Sequence, residues 1–95
     1  MSMKEAYEKK LQAQLDEWRA EIDKLKAKAD AAEADAKLEY NKEIEGLQVK
    51  QEEANKKLEE LKASGDDAWE DLKAGIDNAW GSLSRSVKSA VSRFR

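Results

Sequence analysis

Four carboxylates, Asp66, Asp67, Glu70 and Asp71, crowd one short stretch of this 95-residue chain. Oxygen donors at that density can in principle hold a hard cation. Their spacing lacks the alternating ligands around a central glycine that a calcium loop needs. It matches acids gathered at the start of a helix, where the macrodipole favours negative charge. The second charged group is basic. Residues 82–95 carry Arg85, Lys88, Arg93 and Arg95 against no acid, for +4. Residues 66–81 carry five acids against Lys73, for −4, and residues 1–65 carry 16 acids against 13 bases, for −3, so the net charge is −3. The C-terminus is the one basic island, and it would suit an anionic surface.

What is missing narrows the chemistry further. The chain has no Cys, no His and no Pro. Without cysteine there is no thiol nucleophile, zinc–thiolate site or disulfide. Without histidine the usual proton shuttle near neutral pH is gone, along with the commonest metal ligand. The serines of the tail have no imidazole base, and neither a phosphate-cradling glycine loop nor a nucleophile elbow is present. The expectation is a protein that is not an enzyme, with no catalytic, cofactor or metal site. No run of 18 apolar residues exists to span a bilayer. The opening residues lack the apolar core of a secretory signal, so the cytoplasm is the expected location.

The apolar residues obey one period. From Tyr7 to Phe94 a stripe steps by three or four, 24 steps over 87 residues, or about 3.6 per step. That is a helical repeat, and no window alternates as a strand would. Good helix formers fill the intervals, and Glu5/Lys9, Glu33/Lys37, Glu52/Lys56 and Glu53/Lys57 stand in the favourable i,i+4 order. The fold class is all-α.

The clearest break is Ala63-Ser64-Gly65-Asp66-Asp67. Gly65 can adopt the left-handed C′ conformation, and Ser64 or Asp66 can cap the next helix. The reading is a single coiled-coil-like domain over 1–95: helix 1 over about 4–63, a turn at 64–66 and helix 2 over about 67–93, folded back as an αα-hairpin. That register places Trp69 against Leu61, Leu83 against Leu47, Ala90 against Tyr40 and Phe94 against Ala36. It also sets the basic tail opposite residues 33–47, which hold five acids and two lysines.

A hairpin of that shape leaves Leu11, Leu15, Trp18, Ile22, Leu25, Ala29 and Ala32 uncovered, and an exposed stripe associates. The alanine-rich middle would let two long helices approach closely. The expected partner is therefore the chain itself, as a homo-oligomer, with an antiparallel dimer crossing near Ala32 favoured. A three-helix bundle with a turn near Asp30–Asp35 is the alternative, opposed by the absence of Gly, Pro or Asn there.

The C-terminal segment invites a second reading. Trp69, Leu72, Ile76, Trp80, Leu83, Val87, Val91 and Phe94 fall on one helical arc, with Arg85, Lys88 and Arg95 among serines on the other side, as in helices lying in an anionic membrane interface. The same stripe serves equally as the inner face of the hairpin. Nucleic acid is disfavoured, because the rest of the chain carries −7. A holdase-like chaperone acting through the stripe at 11–25 is a further alternative.

Residues 15–29 (LDEWRAEIDKLKAKA), residues 68–76 (AWEDLKAGI) with Trp80, and the closing Ser92-Arg93-Phe94 resemble a family of small bacterial coiled-coil stress-response proteins. That family has no defined functional site. The resemblance implies a soluble, cytoplasmic helical protein linked to stress. A looser likeness in architecture is to exchangeable apolipoproteins.

Overall fold

The computed structural model describes residues 2–94. It contains three helices and, among the described residues, no strand: α1 (Met3–Ala31), α2 (Ala34–Ala63) and α3 (Trp69–Arg93). The principal extents are 51 × 20 × 19 Å. Thirty helical residues span about 45 Å, so the long dimension is that of a single helix and the three lie side by side.

Each helix end has a local cause. At the start of α1 the Ser2 hydroxyl accepts from the Glu5 N–H at 3.1 Å, satisfying one of the helix's orphan donors. At the end of α2 the Ser64 hydroxyl and N–H both donate to the Leu61 carbonyl, at 2.6 and 3.1 Å. Ser64 is extended (φ −75°, ψ 152°). None of the described residues has a left-handed φ, so Gly65 does not take the C′ conformation expected of it; an extended Ser64 already ends the helix. Residues 66–68 form a turn closed by the Ala68 N–H on the Gly65 carbonyl at 3.1 Å. Helix α3 thus begins at Trp69, with no side-chain cap on its N-terminus.

The expectation of one helix over 4–63 is corrected. The chain turns at Ala32 (φ −83°, ψ 157°) and Glu33 (φ −69°, ψ 162°), both extended, and the three-helix alternative is the architecture that fits. The reason is tertiary. Local propensity favours helix through this stretch, but a straight helix would leave α1's apolar stripe in water. Fully burying a large aliphatic or aromatic side chain stabilises by about 1.5–3 kcal/mol. Leu11, Leu15, Trp18, Ile22 and Leu25 together therefore contribute on the order of ten. Opening two helix ends costs a few backbone hydrogen bonds that water largely replaces, each worth about 1 kcal/mol net. Burial wins.

The three helices run up, down and up. Lys4 of α1 lies at the end of α2, whereas Tyr7 and Lys28 of α1 meet Asp77 and Phe94 respectively. Helices α1 and α3 are consequently parallel, and α2 is antiparallel to both. One core runs the length of the bundle, from Leu61, Trp69 and Ile76 at one end to Ala29, Ile44 and Ala90 at the other. Every buried side chain among the described residues is apolar.

Candidate functional site

The residues assigned to self-association do not form an outer surface. Leu11, Leu15, Trp18, Ile22, Leu25 and Ala29 are all buried within the single chain, and Ala32 is half-buried at the turn. The expectation of an uncovered stripe is corrected: once the chain turns at 32–33, α2 and α3 cover it.

The apolar face of α3 lies against the same core. Trp69, Ile76, Trp80, Leu83 and Val87 are buried, while Leu72, Val91 and Phe94 are half-buried at its margin. Phe94 stacks on Tyr40 with ring centroids 4.1 Å apart, rather than facing Ala36. The α2–α3 register is thus displaced from the expected pairing by about one helical turn. The 3.6-residue stripe repeats every turn, so the sequence pattern alone does not separate the two registers.

The basic residues divide. Arg93 spreads its guanidinium across two acids of α2: Nη1 donates to Glu43 Oε1 at 2.7 Å and Nη2 to Glu39 Oε2 at 2.8 Å. This joins the tail to acids of the 33–47 segment. Arg85 and Lys88 are exposed on the outer side of α3. Arg95 lies outside the described residues. The acids Asp66, Asp67, Glu70 and Asp71 are exposed along the turn and the first turn of α3. Among the described residues, no three acidic side chains converge as metal ligands would.

Polar contacts that the sequence did not announce tie α1 to the other helices. The Lys4 ammonium donates to the Ser64 carbonyl at 2.5 Å, placing a cation on the negative end of α2. Lys28 does the same for α3 through the Phe94 carbonyl at 3.2 Å. Tyr7 donates its phenolic O–H to Asp77 Oδ1 at 2.5 Å, and its ring packs against Trp69 with centroids 5.7 Å apart. Burial, then the hydrogen bond to the Asp77 carboxylate and that group's charge, push the Tyr7 phenol well above its ordinary range. Lys50 reaches from α2 to the hydroxyls of Ser82 and Ser86 at 3.1 and 2.7 Å.

The seam between α1 and α3 is the least sealed side of the bundle. Two shallow clefts lie along it, both reaching Trp18. One, of about 340 Å³, is lined by Glu17, Glu21, Val87, Lys88 and Val91. The other, of about 360 Å³, is bordered by Tyr7, Gln14, Asp77, Trp80 and Gly81. Neither brings together a nucleophile, a base and an oxyanion donor in the manner of a catalytic site. Among the described residues no helix is long and apolar enough to cross a membrane. No protein-family model matches the chain, and neither does any curated protein or solved structure.

Proposed function

We propose that the protein is a non-enzymatic helical interaction protein that associates with itself. The observation that carries this reading is the all-apolar interior. With no polar side chain buried among the described residues, every group able to recognise a partner lies on the outside of the bundle. The exposed Leu38 and Val49, 66% and 57% accessible, stand eleven residues apart and so on one outer face of α2. They offer apolar contact to a second molecule. A role in bacterial stress response is supported by the resemblance of residues 15–29, 68–76 and 92–94 alone. Light scattering and sedimentation over a wide concentration range test the reading. A mass fixed at 10.7 kDa throughout would overturn it.

One observation favours a second reading, binding to anionic lipid surfaces through α3. Among the described residues the exposed Arg85 and Lys88 form no ion pair, and the helix that carries them borders the least sealed seam. Opening of that seam would turn the Trp and Val side of α3 toward acyl chains. Co-sedimentation with vesicles containing anionic lipid, abolished by Arg85→Glu with Lys88→Glu, is the expected result. Binding unchanged by that pair would sink it. A holdase role loses the bare stripe on which it was built, since Leu11, Leu15, Trp18, Ile22 and Leu25 are buried.

A further inference from the structure

We propose that α1 exchanges between two copies of this chain: the Ala32–Glu33 turn straightens into helix, and α1 of each copy fills the groove between α2 and α3 of the other. The inference rests on the self-association reading above and deepens it by naming the contact surface and the partner, a second copy.

The turn is the first observation. Only Ala32 and Glu33 leave the helical backbone between Met3 and Ala63. Neither is a glycine or proline, and neither has a left-handed φ. Alanine is the best helix former and glutamate a good one. Glu33 makes no side-chain cap on α2. The sole backbone bond closing the turn itself is the Ala32 N–H on the Ala29 carbonyl at 3.2 Å, before helical bonding resumes with Lys37 N–H on Glu33. Straightening the two residues would give the last carbonyls of α1 and the first N–H groups of α2 the helical partners they lack.

Coverage of α1 is the second. The turn is held by burial of Leu11, Leu15, Trp18, Ile22 and Leu25 rather than by its own residues. An identical groove on a second copy buries the same side chains against the same neighbours, so exchange leaves no stripe bare. This is the economy of domain swapping.

Register is the third. Lys4 sits at the carbonyls of Lys62 and Ser64. Two continuous helices lying antiparallel about a two-fold axis at residue 33 place residue 4 of one beside residue 62 of the other. The α1–α2 pairing of the bundle is therefore reproduced between copies without a shift. Most swaps need a hinge that can straighten and a register that survives it, and both are present here.

Proline decides the matter. At position 33, φ of −69° suits the ring, and the extended Ala32 suits a residue preceding proline. Glu33→Pro therefore fits the bundle but bars a continuous helix, where the ring would strike the carbonyl four residues back. The experiment refolds the chain at high concentration and measures mass and maximum dimension by light and small-angle X-ray scattering. The expected wild-type product is a dimer whose 61-residue helices (Met3–Ala63) extend about 90 Å, against 51 Å for the bundle. Glu33→Pro should remain a monomer of bundle length. A Gly-Ser-Gly-Ser insertion between Ala32 and Glu33, which also interrupts the long helix, should do the same if the proline variant folds poorly. Copies bearing Lys4→Cys, refolded with copies bearing Ser64→Cys, should be joined by a short bis-maleimide in the wild-type background but not with proline at 33. A dimer that survives Glu33→Pro, or that is no longer than two bundles side by side with no such cross-link, overturns the exchange and leaves self-association standing. A chain that stays monomeric at every concentration overturns both.

Discussion

The Trp80 indole N–H donates to the backbone carbonyl of Leu11 at 3.3 Å, a buried contact between residues 69 apart in sequence. That carbonyl lies inside α1 and is already committed to its own helical ladder. The indole therefore takes a second lone pair, which satisfies a buried donor and fixes how far α3 slides along α1. A tryptophan is buried at low cost where its N–H finds such a partner.

Trp80→Phe should keep most of the ring contact and lose the hydrogen bond, destabilising the bundle by roughly 0.5–1.5 kcal/mol. Trp80→Ala adds a cavity and should cost about 3–5 kcal/mol. Urea unfolding followed by far-ultraviolet circular dichroism measures both. Equal losses for the two variants would show that the hydrogen bond, and not the packing, dominates.

Arg93 grips Glu39 and Glu43 from a half-exposed position, where solvent screens the attraction. Arg93→Ala should therefore cost no more than about 1 kcal/mol, and the loss should shrink as salt is raised toward 1 M. Arg93→Lys should recover only part of it, because an ammonium cannot span two carboxylates as a planar guanidinium does. Denaturation midpoints at low and high salt test this; a loss indifferent to salt would contradict it.

The Tyr7 phenol is held above its ordinary value of about 10 by burial first and by Asp77 second. In the folded chain it keeps its proton at pH values where the unfolded chain releases it. Its contribution to stability is then complete below about pH 10 and declines as the pH rises above that point. Following phenolate absorbance against pH, Asp77→Asn should lower the Tyr7 transition, since it removes the acceptor's charge. An unchanged Tyr7 titration would exclude the Asp77 contribution.

Gly46 and Gly75 lie within helices, and a Cβ built at either meets no atom within 4 Å. Alanine at each should stabilise the fold by about 0.5–1 kcal/mol through helix propensity and the reduced freedom of the unfolded chain. The measurement is thermal unfolding of the single and double variants, whose effects should add because the two sites share no partner. A destabilised Gly75→Ala would reveal a contact on the outer face of α3.

Much of the helical content was legible in the residue order. The stripe from Tyr7 to Phe94 declares the inward side of every helix, and Leu15, Ile22, Leu47, Leu58, Ile76 and Leu83 are all buried. The interruption near Ser64-Gly65 also shows in the sequence, because small and acidic residues cluster there. The turn at Ala32–Glu33 left fainter marks. Lys28 near the end of α1 and Asp35 in the first turn of α2 suit the two helix termini, but alanines on every side favour continuity. The basic tail could be read as a patch; that Arg93 spends its charge on Glu39 and Glu43 while Arg85 and Lys88 stay exposed depends on the register.

The amino-acid order determined that the chain is helical and which side of each helix avoids water, because those properties arise within a few turns of backbone. Tertiary packing decided whether residues 31–34 continue or reverse, which neighbour Phe94 stacks on, and that the apolar stripe from Leu11 to Ala29 is covered from within. A 3.6-residue pattern is unchanged by a one-turn slide or by a fold at an alanine, so only the packing of all three helices separates these alternatives.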